Sequence, residues 1–132
     1  MTVFSYATLG SDELKASKIF FDATLGAIGV TCFYEAEDAV AYAIKGTERP
    51  SLWVTKPFDG RAANFGNGAM LSFAASSADA VNRFHAAALA NGGSDEGAPG
   101  YRENYSPDFY AAYVRDPLGN KLCAVFRDPA RA

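Results

Sequence analysis

The chain holds one histidine in 132 residues. With His85 alone, Ser–His and Cys–His chemistries have no base to set beside a nucleophile. His85 follows Phe84 in a helical stretch and reads as a surface or helix-packing residue. Cysteines number only two, Cys32 and Cys123, each in an apolar, strand-like context. They do not form a spaced framework, which fits reduced thiols in a cytosol, and a single buried disulfide between them stays open. Basic residues are few and unclustered: 12 Lys and Arg stand against 15 Asp and Glu, for a net charge of −3. That balance argues against a nucleic-acid partner, because phosphate binding needs a basic footprint. No apolar run approaches the roughly 18 residues of a membrane span. The opening Met1-Thr2-Val3-Phe4 has no basic n-region and no apolar stretch behind it, so no signal peptide is expected and the cytoplasm is the expected location.

What the chain does have is a core and a repeat. An apolar fraction of 49% suits one globular domain over residues 1–132. Ser5–Val30 aligns without a gap on Ala69–Ser94 at an offset of 64, with identities at Ala16/Ala80, Phe20/Phe84, Ala23/Ala87, Leu25/Leu89 and Gly29/Gly93. Each copy reads as a strand, then a helix, then a glycine-containing exit. In the first copy, Val3–Leu9 is the strand and Ser11-Asp12-Glu13 supplies a cap and first-turn acids. Ala16, Phe20, Ala23 and Ala27 recur at helical spacing, and Gly26 and Gly29 end the helix. Strands are expected over Val30–Tyr34, Ala39–Lys45 and Ser51–Thr55, followed by a loop over Lys56–Gly68. In the second copy, Ala69–Ala75 is a strand and Ser76–Asp79 has capping-box spacing. Ala80, Phe84, Ala87 and Asn91 repeat the helical face, and Asn91-Gly92-Gly93 stops it. A long loop is expected over Gly97–Asp108, then strands over Tyr110–Arg115 and Lys121–Phe126 joined by a turn at Asp116-Pro117-Leu118-Gly119-Asn120. The expected fold class is α+β, with two tandem βαβββ modules covering about 1–60 and 66–128. Neither module buries its sheet alone.

Three segments carry a resemblance: Tyr6-Ala7-Thr8-Leu9-Gly10, Gly66-Asn67-Gly68-Ala69-Met70-Leu71-Ser72-Phe73-Ala74, and Tyr113-Val114-Arg115-Asp116-Pro117-Leu118-Gly119-Asn120-Lys121-Leu122-Cys123. Together they resemble the vicinal oxygen chelate superfamily, which holds glyoxalase, bleomycin-resistance proteins and extradiol dioxygenases. The resemblance implies that the two modules form a cup-shaped mixed sheet with helices outside and a divalent metal within. It also implies ligands from the first, fourth, fifth and eighth strands. At those positions this chain has Tyr6, Trp53, Met70 and Cys123, and the offset of the repeat pairs Tyr6 with Met70. Chelation of two vicinal oxygens calls for imidazole and carboxylate around a hard cation. None of the four supplies either, so neither a metal nor a cofactor is expected. A Cys/Met pair suits soft Cu(I), but two ligands do not make a site.

Strand alternation gives the lining of such a cup. Phe4, Tyr6 and Thr8 point inward, as do Trp53 and Thr55, Met70 and Ser72, and Lys121, Cys123 and Val125. Leu71, Phe73, Leu122 and Phe126 then face the helices. Cys123 reads as a small buried hydrophobe with a raised thiol pKa rather than a nucleophile. In the loop Tyr101–Tyr110, Arg102 suits a carboxylate or phosphate, and Tyr105 and Tyr110 suit capping of an apolar ligand. That these aromatics only pin the loop to the sheet edge stays open. The glycines of Asn64-Phe65-Gly66-Asn67-Gly68 lack phosphate-loop spacing. The expected function is metal-free binding of a small, partly aromatic molecule through Tyr6, Trp53, Met70, Ser72, Arg102, Tyr105, Tyr110 and Cys123, with no catalytic residue assigned. The alternative is a metal-dependent lyase, isomerase or dioxygenase of glyoxalase type. A third reading is a degenerate module acting through protein contacts. Exposed sheet edges, and the resemblance, imply a homodimer.

Overall fold

A computed structural model describes residues 3–132. Met1 and Thr2, the first residues of the expected module one and of the opening stretch where no signal peptide is expected, lie outside the described residues. Two helices of 13 residues, α1 (Leu14–Gly26) and α2 (Ala78–Ala90), stand at the offset of the repeat. Their buried stripe is rotated from the alanine-based one expected from sequence. In α1 it comprises Ser17, Phe20, Phe21, Thr24 and Leu25, and in α2 Ala80, Val81, Phe84 and Ala88. Polar residues fit this stripe because their hydroxyls are satisfied. Ser17 Oγ lies 2.7 Å from Ser11 Oγ, and Thr24 Oγ1 donates to the Phe20 carbonyl at 2.9 Å.

Both helix starts differ from expectation by a residue or two. In α1, Glu13 holds the cap position without a side-chain cap bond. Ser11 Oγ accepts from the Glu13 amide, and the Asp12 carboxylate accepts from the Ala63 amide at 2.8 Å, anchoring the loop that precedes module two. For α2 the cap is Ser77, not Ser76: Ser77 Oγ accepts from the Ala80 amide at 3.0 Å, with Asp79 in the first turn.

Among the described residues, eight strands form two separate four-stranded sheets. Module one has β1 (Ala7–Gly10), β2 (Val30–Glu35), β3 (Ala39–Ile44) and β4 (Pro50–Thr55) in the order β1-β4-β3-β2. Module two has β5 (Met70–Ala74), β6 (Ser94–Tyr101), β7 (Phe109–Arg115) and β8 (Lys121–Arg127) in the order β5-β8-β7-β6. Each sheet is mixed: β1 and β4 pair in parallel, as do β5 and β8, while the other pairs are antiparallel. The sheets do not close into a barrel. Two strand expectations are corrected. β1 begins only at Ala7, which leaves Phe4 and Tyr6 ahead of it. Ser94–Tyr101, whose residues from Gly97 on were assigned to a loop, is an edge strand whose pairing with β7 shifts register near Gly97 and again before Gly100.

One face of each sheet packs on the helices. Phe20 and Phe21 from α1, Phe84 from α2, and Tyr42, Val54, Val114 and Leu122 from the strands belong to a single buried cluster. Leu71, Phe73 and Phe126 pack against it, as alternation requires. The turn Asp116–Asn120 ties the modules together: Asn120 Nδ2 donates to the Asp116 carboxylate at 2.9 Å and to the Gly10 carbonyl at the end of β1 at 3.3 Å. The opposite face of each sheet is left for other uses.

Candidate functional site

In module one, strand register places Thr8, Trp53, Ala41 and Tyr34 in one row across the sheet, on the face away from α1. The Tyr34 and Trp53 rings lie 5.7 Å apart at 55°. They border a cavity of about 550 Å³ whose walls also include Tyr6, Thr8, Asp38 and Thr55. A second cavity, about 670 Å³, shares Thr8, Asp38 and Thr55 and runs under the loop carrying Pro57, Phe58 and Asn64. Alternation alone does not reveal Tyr34. Cys32 pairs with Tyr42 on the helix side, and strict period-two counting puts Tyr34 there too. A bulge between them turns Tyr34 to the open face.

In module two the equivalent row runs Ser72, Cys123, Tyr113 and Gly97. Met70, Lys121 and Arg115 form the next row on the same face. Cys123 is 1% exposed although it lies on the open side, because its neighbours cover it. Burial raises its thiol pKa, while the Ser72 and Tyr113 hydroxyls and the Arg102 and Lys121 charges pull the other way. Burial likewise raises the Tyr113 phenol. Arg102 reaches back along β6, with Nη1 donating to the Gly100 carbonyl at 2.8 Å and Nη2 to Ala98 at 2.7 Å. Its guanidinium sits 5.5 Å from the Tyr113 ring centre, over Gly97, where a β-carbon would come within 3.1 Å of Nη2. Tyr113 was missed at the level of sequence although its strand was expected; counting inward from Arg115 by two finds it.

The residues expected to bind do not all meet. Trp53 and Tyr6 share the module-one cavity, with Tyr6 59% exposed. Met70, Ser72, Cys123 and Arg102 gather on module two. Tyr105 stands at the rim of that face, its ring 5.2 Å from Phe109 and largely exposed. Tyr110 lies elsewhere: it packs against the core, and its hydroxyl donates to Asn82 Oδ1 on α2 at 2.6 Å. A smaller cavity of about 140 Å³ is bordered by Thr8 and Leu9 of module one and by Met70 and Lys121 of module two.

The groups expected from the resemblance at the superfamily's ligand positions, Tyr6, Trp53, Met70 and Cys123, do not fit a hard divalent cation. Among the described residues no three His, Cys, Asp or Glu side chains gather where they could hold a metal. His85 lies on α2, its Nε2 2.8 Å from Asp95 Oδ1, in a helix-packing role. Among the described residues no helix is long and apolar enough to cross a membrane.

Neither a family model nor a curated protein matches the chain. Solved structures do. A glyoxalase/bleomycin resistance protein from Albidiferax ferrireducens T118 is 38% identical with a TM-score of 0.85, over 96% of this chain and 99% of that one. A lactoylglutathione lyase from Agrobacterium tumefaciens is 18% identical with a TM-score of 0.64, over 96% and 95%. A genomically encoded fosfomycin resistance protein from Listeria monocytogenes is 12% identical with a TM-score of 0.67, over 99% and 98%. The last two share the fold.

Proposed function

Because this chain belongs to the glyoxalase/bleomycin resistance protein family, we propose that it binds a small, partly aromatic molecule on its open sheet faces, without the divalent metal of the wider superfamily. The observation that carries this reading is the Tyr34–Trp53 pair beside a cavity of about 550 Å³. Two inclined rings present π-faces and apolar edges to a planar guest, and the hydroxyls of Thr8 and Thr55 beside them can orient a polar substituent. The soft and aromatic side chains at Tyr6, Trp53, Met70 and Cys123 suit contact with such a guest better than chelation. A homodimer and a cytoplasmic setting belong to the same reading, with the exposed edges β2 and β6 as candidates for contact with a second copy.

Trp53 is the chain's sole tryptophan, so its fluorescence reports the face directly. Titration with naphthalene-sized aromatics should quench or shift that emission, and native mass spectrometry should show a one-to-one complex. Removing a ring from the inclined pair by Tyr34→Ala should weaken binding roughly tenfold, the scale of one aromatic contact plus its buried area. Elemental analysis of protein purified without chelator separates this reading from a metal-dependent lyase, isomerase or dioxygenase. Stoichiometric metal that disappears on replacing Tyr6, Met70 or Cys123 would overturn it.

A further inference from the structure

Five Lys or Arg side chains among the described residues are half-buried: Lys18, Arg102, Arg115, Lys121 and Arg131. Three of them have carboxylate partners: Lys18 pairs with Asp22, Arg115 with Glu96 at 3.3 Å, and Arg131 with Glu103. Arg102 and Lys121 have none. Both lie on the open face of module two and flank one ring, at 5.5 and 5.8 Å from the Tyr113 centre. Of the charged groups nearby, Arg115 and Glu96 engage each other. The Tyr113 phenol, the Cys123 thiol and the Ser72 hydroxyl lie in the adjoining row of the same face, all potential donors.

Two half-buried cations on one face with no carboxylate partner are placed to receive an anionic group. A ring offers each cation some compensation, but less than a carboxylate or phosphate does. Lys121 also borders the 140 Å³ cavity that reaches Thr8, and Thr8 in turn borders the cavity of the Tyr34–Trp53 pair. An anionic group near Lys121 and an aromatic body on Trp53 are therefore compatible in one molecule.

We infer that the ligand is an anion, its carboxylate or phosphate-like oxyanion held by Arg102 and Lys121 over Tyr113, with Ser72 donating to it. This inference rests on the proposed function for the aromatic half of the molecule. The test compares 1-naphthoate with the neutral 1-naphthamide by Trp53 fluorescence, and follows inorganic phosphate by NMR of the Arg102 and Lys121 side chains. Wild-type protein should prefer naphthoate by roughly tenfold or more, the scale of one charge-assisted hydrogen bond. Lys121→Met should erase most of that preference and leave naphthamide binding unchanged. Because the Lys121 side chain makes no hydrogen bond or ion pair among the described residues, and its backbone pairing with β5 and β7 does not depend on the side chain, this variant leaves the fold intact; Arg102→Gln, which loosens β6, is the companion. Equal affinity for the two probes, or a preference that survives Lys121→Met, overturns the anion site and leaves the aromatic face standing. Phosphate shifts at Arg102 and Lys121 with neither naphthalene bound support the anion site and overturn the aromatic reading. No response of these two side chains to either naphthoate or phosphate overturns the inference outright.

Discussion

A β-carbon built on Gly93 would stand 2.6 Å from Phe20 Cε1, 2.7 Å from the Arg115 carbonyl and 2.9 Å from the Ala88 carbonyl. Two of those three neighbours are backbone and cannot step aside, so Gly93→Ala should cost about 1–3 kcal/mol or more by overpacking. Its partner in the repeat, Gly29, has open space around it but a φ of +81°, so Gly29→Ala should cost about 1 kcal/mol through backbone strain alone. Urea denaturation of both variants checks the order, and a Gly29 variant less stable than the Gly93 variant would refute it. Sequence comparison found this identity but not its two causes, because a repeat records residue type and not environment. Leu25 and Leu89 make the same point: the first is fully buried and the second 45% exposed. The open-face positions of Met70, Ser72 and Cys123 were legible because β5 and β8 alternate without interruption. Tyr34 was not, since one bulge reverses the parity of its strand.

Strand β6 shows why an element can be invisible in sequence and still form. Ser94–Tyr101 carries two glycines, a proline and two acids, a composition that reads as loop. It is a strand because β7 offers it an edge, and because both of its ends are tied down by side chains. At the start, Asp95 Oδ1 meets His85 Nε2 of α2 at 2.8 Å. At the end, the Tyr101 hydroxyl donates to Asp128 Oδ2 at 2.7 Å. The hydrogen bond from His85 holds the Asp95 carboxyl below its ordinary pKa, and the bond from Tyr101 does the same for Asp128. A carboxyl depressed in the folded state contributes stability above its unfolded pKa, near 4, and that contribution disappears as pH falls through the folded value. Below about pH 4 the ties at both ends of β6 should therefore weaken together. Hydrogen exchange, corrected for intrinsic rates, should show β6 amides losing protection in acid before those of β7 and β8. The double variant Asp95→Asn with Asp128→Asn should show weaker β6 protection at neutral pH and a flatter response to acid. Equal pH dependence in wild type and variant would remove these carboxylates from the account.

At the scale of the whole molecule, the repeat foretold two modules unable to bury their sheets alone, and the core shows how they solve it. Phe20 and Phe84, the repeated phenylalanines, are both fully buried in one cluster that draws on both helices and both sheets. The clamp at Asn120 adds a polar link, since this buried side chain bonds both the Asp116 carboxylate and the Gly10 carbonyl of the other module. What sequence could not foretell was the separation of the sheets, because no residue pattern states whether β1 and β5, each at a sheet edge, will hydrogen-bond to one another. A shared core makes a thermodynamic demand. If the modules were independent, Phe20→Ala would unfold the first and spare the second. With one core, Phe20→Ala and Phe84→Ala should each lower the stability of a single cooperative transition by about 3–5 kcal/mol, the usual cost of emptying a buried phenyl site. Fluorescence of Trp53 reports module one and tyrosine near-ultraviolet dichroism reports both modules, so the two probes should trace coincident curves in wild type and in both variants. Separated midpoints in the Phe84→Ala protein, with module one still folded by Trp53 emission, would show that the repeat had kept its halves thermodynamically apart.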